Sequence, residues 1–133
     1  MASRREARRQ AIDVLYQADV TDADPVVVLE QWNAAGRDVD PFARSLVEGV
    51  ARDATEIDRS LSEHSEHWAV DRMASVDRAV LRLAAYELRA GDVPPAVAID
   101  EAVRAAKDLS TEDSGAFVNG ILGRIAAERP DRG

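Results

Sequence analysis

The chain has 133 residues, the size of one ordinary domain, and its hydrophobic content of 46% is mainly aliphatic, since aromatic residues make up only 5%. Glycine and proline number 7 and 5, so the composition favours helices over strands and predicts an all-α protein. The absence of cysteine excludes disulfides, thiolate metal sites and cysteine nucleophiles. No apolar run is long enough to cross a membrane, and we expect a soluble, cytoplasmic protein with no membrane partner.

Charge is distributed unevenly along the chain. The formal net charge is −8 and the isoelectric point is about 4.7. Of 17 basic and 25 acidic residues, four arginines and two acids lie in residues 1–18, which leaves the rest of the chain with a net charge of −10. This asymmetry indicates that the function needs positive charge at one end only.

The first predicted helix carries these arginines on one flank. Ser3 is placed to cap the helix, and its apolar positions follow the spacing of one helical face: Ala7, Ala11, Val14, Leu15 and Ala18. At about 100° per residue, a stripe about 60° wide lies beside that face and contains Arg5, Arg9, Ile12 and Tyr16. Arg4 and Arg8 fall at the border of the stripe, where their stems can cover the core while both guanidiniums reach water.

Two further helices are predicted to begin at the Asp-Pro pairs of residues 24–25 and 40–41, because this pairing starts helices. The first of them ends at Gly36. The second continues as one long helix to about residue 65. A corner over residues 66–74 follows, and two apolar side chains are predicted to lie beneath it: Trp68 and Met73.

The last part of the chain predicts helices over residues 75–90, 96 to about 109 and about 113–128. The caps and breaks that support these bounds are Ser75, Gly91, Pro94, Pro95 and Ser110. The predicted fold is a compact all-α bundle of about seven helices. It forms one domain over residues 1–133, with subdomains at about 1–70 and 71–133.

The sequence contains no phosphate loop, no dinucleotide-binding glycine motif and no zinc-protease motif. His64 and His67 are three residues apart and can share a helix face, but a metal site needs further ligands, and a solvated helix end is the favoured interpretation. We therefore expect no enzyme activity, no catalytic residues, no metal and no cofactor.

The arginine flank is interpreted as a nucleic-acid site, with a solvated surface as the alternative. Guanidiniums form bidentate hydrogen bonds with phosphates, and unpaired bases stack on aromatic rings such as that of Tyr16. This combination favours single-stranded RNA over duplex DNA.

Residues 111–126, TEDSGAFVNGILGRIA, place three glycines in a predicted apolar helix, where each costs about 1 kcal/mol relative to alanine. Close helix packing at Gly120 is one explanation, and a turn that ends at Gly115 is another. The functional alternative is a lip in which Phe117 and Asn119 contact a ligand.

Three segments carry a family resemblance: RREARRQAIDVLYQ, SVDRAVLRLAAYEL and DVPPAVAIDEAVRAAKDLSTEDSGAFVNGILGRIA. Together they resemble the NusB family of bacterial transcription antitermination factors, over the whole chain and most closely over residues 75–133. The resemblance implies an all-helical fold of two subdomains and a protein that is not an enzyme. It also implies binding to the boxA element of nascent RNA with the ribosomal protein NusE, in a complex that helps RNA polymerase ignore terminators on ribosomal RNA operons.

The same resemblance implies site residues. The RNA-binding residues are expected to be Arg4, Arg5, Arg8, Arg9, Tyr16, Lys107, Asp113, Ser114, Phe117 and Asn119. The residues expected to contact NusE are Asp77 and Asp113. Ala116 stands where relatives often carry a lysine, which removes one phosphate contact.

Two other interpretations stay open at this point. A helical protein-interaction adaptor or a homodimer would pair the arginine flank with an acidic protein surface and would not bind RNA directly. A NusB-like domain also precedes some RNA methyltransferases, but the sequence contains no glycine-rich cofactor loop. Relatives occur as monomers and as homodimers, and the sequence does not choose between these states.

Overall fold

The computed structural model describes residues 3–66 and 69–128 and consists, over those ranges, of seven α-helices and one short 3-10 helix. The α-helices are α1 (Arg4–Val20), α2 (Pro25–Ala34), α3 (Pro41–Arg52), α4 (Ala54–Glu63), α5 (Ser75–Ala90), α6 (Pro95–Leu109) and α7 (Glu112–Glu128). This architecture confirms the predicted all-α bundle of about seven helices. Within the described ranges, no helix is both long enough and apolar enough to span a membrane.

Side-chain caps start the first three helices as the sequence predicts. Ser3 Oγ accepts a hydrogen bond from the backbone N–H of Glu6 at 3.1 Å. The Oδ1 atoms of Asp24 and Asp40 accept from the N–H groups two residues downstream, each at 2.8 Å. A proline follows each aspartate. Proline is tolerated there because the first N–H groups of a helix have no acceptor within the helix, so the N–H that proline lacks removes no helical hydrogen bond.

Glycines end two helices where the chain turns through a left-handed conformation. Gly36 has φ +81° and Gly91 has φ +73°, values that other residues rarely adopt. α2 and α5 stop just before these positions, so the predicted helix ends are confirmed.

The single long helix predicted from residue 41 to about 65 is wrong, because the chain divides into α3 and α4 at Asp53. Asp53 adopts φ −98° and ψ 16°, a bridge conformation between the two helices. Aspartate is disfavoured inside helices because its short side chain competes with the backbone for hydrogen bonds. The turn directs α4 so that Ile57 and Leu61 are fully buried.

Two predicted caps are wrong by one residue. Ser75 is the first residue of α5, and Ala74 occupies the cap position. α7 is capped by Thr111 rather than Ser110, because Thr111 Oγ1 accepts the N–H of Ser114 at 3.0 Å. Ser110 Oγ instead accepts a hydrogen bond from the Ser114 hydroxyl at 3.0 Å.

The corner predicted over residues 66–74 contains the 3-10 helix, Val70–Arg72. Met73 is buried next to this helix, as predicted. Trp68, which was expected beside it, lies outside the described residues.

α5 lies at the centre of the bundle and packs against α1, α3, α4, α6 and α7. Its side chains Val80, Leu81 and Leu88 are almost completely buried. α3 can approach α5 closely because Gly49 has no Cβ, which would overlap the ring of Tyr86. The division into two subdomains near residue 70 stays a prediction, since helices on both sides of that point contribute to one continuous core.

His64 connects the end of α4 to the end of α7. Its Nδ1 lies 2.7 Å from the Ser60 carbonyl oxygen, and its Nε2 lies 2.5 Å from a carboxylate oxygen of Glu128. Arg124 Nε donates to the His64 carbonyl at 2.9 Å. Both ring nitrogens face acceptors, which favours the imidazolium form with a proton on each. Burial lowers the pKa of His64, but the two hydrogen bonds and the nearby Glu128 and Glu63 charges raise it above its ordinary value.

The free energy of unfolding should therefore depend on the protonation of His64. The folded-state pKa lies above the unfolded value of about 6.5, so the stabilising contribution is complete below that pH and is lost as the pH rises through the folded-state pKa. Denaturant unfolding should show the stability difference between wild type and His64→Gln shrinking as the pH rises from about 6.5 through the folded-state pKa. A difference that stays constant over this range would contradict the assignment.

Candidate nucleic-acid interface

The apolar face of α1 fixes the rotation of this helix on the bundle. Its buried residues include those predicted: Ala7, Ala11, Val14, Leu15 and Ala18. Ile12, which the prediction places in the arginine stripe, is also buried, so the solvent-facing stripe is narrower than expected. Tyr16 keeps 40% of its surface exposed and is therefore accessible to a ligand.

Arg8 does not reach water, which corrects the prediction made from its position on the helix. Its side chain is 8% exposed, and its Nε and Nη2 donate to the two carboxylate oxygens of Glu87 at 2.8 and 3.0 Å. The hydrogen bonds to Glu87 raise the pKa of Arg8 against the opposing effect of burial. Arg8 therefore joins α1 to α5, and its guanidinium does not face solvent.

Arg4 is exposed at the start of α1 and stacks on an aromatic ring. Its guanidinium carbon lies 3.9 Å from the centroid of the Phe42 ring, at the beginning of α3. Stacking holds a guanidinium flat on the ring while the N–H donors at its edge stay free to form hydrogen bonds. Phe42 thus orients the first arginine of the helix.

Arg5 and Arg9 face α6, and each forms an ion pair with a carboxylate of that helix. Arg5 donates to both oxygens of Glu101 at 3.1 Å, and Arg9 Nη2 lies 2.8 Å from Asp108 Oδ2. The side chain of Arg5 is 52% exposed and that of Arg9 is 28% exposed, so solvent and ligands reach both. Hydrogen bonds from these arginines lower the pKa of Glu101 and of Asp108, and both carboxylates are ionised at neutral pH.

Lys107 lies on the side of α6 that faces α7. Its Nζ is 3.6 Å from a carboxylate oxygen of Glu112, and its stem crosses Gly115, where an added Cβ would lie 2.6 Å from Lys107 Cγ. The close packing predicted at Gly120 therefore occurs at Gly115 instead, because a Cβ at residue 120 would have no neighbour closer than 3.9 Å. Gly115 lies inside α7, so the turn predicted to end there is wrong.

A second group of predicted site residues lines a cleft formed by the 3-10 helix and the first turns of α5 and α7. Asp77, Asp113, Ser114 and Phe117 all face this cleft, which has a volume of about 330 Å³. Arg72 also lines this cleft. The structure therefore brings Asp77 together with three predicted residues that lie 36 to 40 positions further along the chain.

Asp77 has an unusual environment for a carboxylate. The residue is 8% exposed, and its buried Oδ1 has no hydrogen-bond partner among the residues that the structure describes. A buried acceptor without a donor costs about 1–3 kcal/mol, and more when it is charged. Asp77 thus lines the cleft with a carboxylate whose buried Oδ1 has no donor among the described residues.

Asn119 is separated from Phe117, so the lip predicted from these two residues does not form. Both belong to α7, and a spacing of two residues places their side chains about 200° apart around the helix. Phe117 is partly buried at the cleft, whereas Asn119 is exposed on another side of α7.

Sequence reasoning missed the residues that hold the arginines in place: Phe42, Glu87, Glu101 and Asp108. The three acids lie 79 to 99 positions from their arginines in sequence. One local signal existed, because Glu87 continues the apolar spacing of Val80 and Leu83 along α5. An acid on a core-facing stripe is expected to have a buried partner.

The described residues contain no group of three or more histidines or acidic residues arranged to hold a metal ion. His64 is engaged by Ser60 and Glu128, while His67 lies outside the described ranges. The two histidines therefore give no support to a metal site.

Comparison with known proteins identifies relatives along the whole chain. Residues 5–127 match the model of the NusB family. The transcription antitermination protein NusB of Saccharopolyspora erythraea is 53% identical over 131 residues, which cover 95% of this chain and 88% of that protein. The protein of the same name from Nocardioides sp. is 46% identical over 132 residues, which cover 98% of each.

Solved structures share the fold. NusB of T. maritima is similar with a TM-score of 0.84 and 40% identity, over 96% of this chain and 92% of that one. A crystal structure of the antitermination factors NusB and NusE in complex with double-stranded RNA is similar with a TM-score of 0.83 and 28% identity, over 95% of this chain and 97% of that one. The chain described here therefore belongs to the NusB family.

Proposed function

We propose that the chain is a transcription antitermination factor that binds boxA-type single-stranded RNA together with the ribosomal protein NusE. In this role it helps RNA polymerase read through terminators in ribosomal RNA operons. The proposed role is binding rather than catalysis, and it places the chain in the cytoplasm, where bacterial transcription takes place. Support comes from relatives at 53% and 46% identity that are transcription antitermination proteins.

The observation that carries the RNA part is the set of exposed arginines on the first two turns of α1. Arg4, Arg5 and Arg9 project toward solvent there, while Arg8 is held in the core. Guanidiniums bind phosphates through paired, charge-assisted hydrogen bonds. Tyr16, exposed further along the same helix, offers a ring on which an unpaired base can stack.

The number of exposed arginines limits the strength of RNA binding by this chain alone. Three neutralised phosphates correspond to a log–log salt slope of about −2 for single-stranded RNA. This contribution is opposed by the net charge of −8 on the whole chain. A basic partner would add positive charge beside the RNA and would itself be attracted to the acidic surface. We therefore propose that NusE completes the RNA site.

The cleft at Asp77 is the proposed contact surface for that partner. Its unpaired carboxylate oxygen needs a donor, and Asp113 adds a second acid beside the apolar ring of Phe117. A basic side chain with an apolar stem can place its charged end near the two carboxylates and its stem against the Phe117 ring. The solved relative that contains NusE supports a NusB–NusE pair of this kind. Lys107, Ser114 and Asn119 stay predicted RNA contacts.

The solved complex with NusE contains double-stranded RNA, whereas we propose that this chain binds single-stranded RNA. Phosphates are present in both forms of RNA, but bases are free to stack on Tyr16 only when they are unpaired. A duplex of the same sequence is therefore a necessary competitor in any binding test.

Replacing both carboxylate-paired arginines should weaken RNA binding. Arg5→Gln with Arg9→Gln removes two of the three exposed cations of α1, and we expect the affinity for a labelled boxA-type RNA to fall by about tenfold or more, with a salt slope less steep by about 1.4. Fluorescence anisotropy with NusE present measures both quantities, and unlabelled duplex of the same sequence should compete poorly.

The matched control is Arg52→Gln with Arg59→Gln. These arginines also form surface ion pairs, with Asp53 and Glu56, but they belong to α3 and α4 and leave α1 intact. The control should keep most of the affinity. If both double variants bind boxA-type RNA as wild type does, the arginine flank has another partner and the protein-adaptor interpretation takes its place.

Asp77→Asn should separate partner binding from stability. The substitution keeps the shape of the side chain and removes a buried charge whose Oδ1 lacks a donor, so the protein should be at least as stable as wild type. The affinity for NusE, measured by calorimetry, should fall at least about tenfold, because a donor in the cleft loses its charged acceptor.

The control for this experiment is Asp71→Asn, which changes the charge of an exposed residue on the neighbouring 3-10 helix. It should bind NusE nearly as wild type does. Equal NusE affinities for the two variants would show that the Asp77 carboxylate does not take part in the contact.

A further inference from the structure

Two of the three exposed arginines of α1 are already paired within the protein. Glu101 accepts two hydrogen bonds from Arg5, and Asp108 accepts one from Arg9. Arg4 differs, because it stacks on the uncharged ring of Phe42. An RNA phosphate can approach Arg4 directly, but it has to compete with a carboxylate for each of the other two guanidiniums.

The two acids are placed to act together on one helix. Glu101 and Asp108 are seven residues apart on α6, which is close to two helical turns and puts both on the side that faces α1. Both lie opposite arginines that are themselves four residues apart and so share one side of α1. Two separate ion pairs therefore connect α1 to α6.

The two pairs differ in how easily a phosphate can open them. The side chain of Glu101 is 19% exposed and holds Arg5 through two hydrogen bonds, whereas Asp108 is 57% exposed and holds Arg9 through one. Exposed ion pairs of this kind are weak, so they reduce the affinity of a competing anion without preventing its binding.

We propose that Glu101 and Asp108 mask Arg5 and Arg9 and so weaken the binding of RNA that lacks further contacts. A phosphate alone gains little by replacing a carboxylate on the same guanidinium. A phosphate of an RNA that is also held by base stacking and by the partner overcomes this competition. The masking lowers the affinity for every RNA, so at a given concentration only an RNA held by further contacts reaches high occupancy. The inference rests on the proposed RNA-binding function.

The strength of exposed ion pairs predicts a moderate and measurable change in RNA affinity. Exposed pairs contribute a factor of about 1.5 to 5 each, so two masks together are expected to lower nonspecific affinity by about 2- to 25-fold. Each arginine that is freed to neutralise a phosphate adds about −0.7 to the salt slope on single-stranded RNA. Unmasking should therefore change both the affinity and its dependence on salt.

The test is Glu101→Gln with Asp108→Asn in the full chain, titrated into a labelled RNA of scrambled sequence without NusE. We expect the affinity for this RNA to rise about 2- to 25-fold over wild type and the salt slope to steepen toward about −2, the value for three neutralised phosphates. The affinity for boxA-type RNA with NusE should also rise, because its phosphates compete with the same two carboxylates.

The matched control is Asp100→Asn with Glu56→Gln, which makes the same change in net charge. Asp100 is an exposed neighbour of Glu101 on α6 outside the two pairs, and Glu56 belongs to the surface ion pair with Arg59 on α4. Long-range charge alone would raise RNA affinity equally in both double variants. Masking predicts a clearly larger rise when the carboxylates of the two pairs are removed.

Three results would overturn the inference. An affinity for scrambled RNA that rises no more than in the control shows that the carboxylates do not compete with phosphates, and the absence of detectable binding by the unmasked variant shows the same. An affinity that falls shows that the carboxylates position the arginines instead. Failure of the proposed function is a separate outcome, because it appears in wild type with NusE as equal affinity for boxA-type and scrambled RNA.

Discussion

The buried ion pair between Arg8 and Glu87 is the interaction on which the arrangement of the arginine helix depends. Both side chains are less than one-tenth exposed, so each charge is tolerated in the core only while the other faces it. The pair joins α1 to α5, the helix at the centre of the bundle. Once α1 is fixed in this rotation, its remaining arginines have defined neighbours, the ring of Phe42 on one side and α6 on the other.

α5 also sets the relation between the two proposed binding surfaces. Glu87, near its end, holds the arginine helix, and Asp77, in its first turn, lies in the cleft proposed for NusE. Ten residues of α-helix span about 15 Å, and this helix is buried and packed on five neighbours, so the separation is rigid. A basic partner seated in the cleft is therefore held at a fixed distance from the exposed arginines, which suits an RNA site built by two proteins.

Local signals in the sequence were sufficient for most of the fold. Asp24 and Asp40 before proline and the glycine at position 91 define helix ends by hydrogen bonds and backbone angles that involve only neighbouring residues. The position of the α1 arginines on one flank could also be predicted, because the spacing of residues around a helix is a local property. The site could be predicted only in part, because the burial of Arg8 depends on an acid 79 residues away. The break at Asp53 was missed because apolar spacing continues across it.

The central claim is that Arg8 is a structural residue that fixes α1 and is not itself an RNA ligand. The most direct test compares Glu87→Ala with the double variant Arg8→Met, Glu87→Leu, measuring unfolding free energy and affinity for boxA-type RNA with NusE on the same samples. Glu87→Ala leaves a buried unpaired guanidinium and should cost about 3–5 kcal/mol, whereas an apolar pair of similar volume should restore most of that stability. If Arg8 contacts no phosphate, its replacement removes no contact with RNA. The account therefore predicts that the double variant binds RNA within about twofold of wild type, whereas the loss of a phosphate contact would weaken binding by more than twofold. A double variant that is fully stable but binds RNA tenfold more weakly would contradict it.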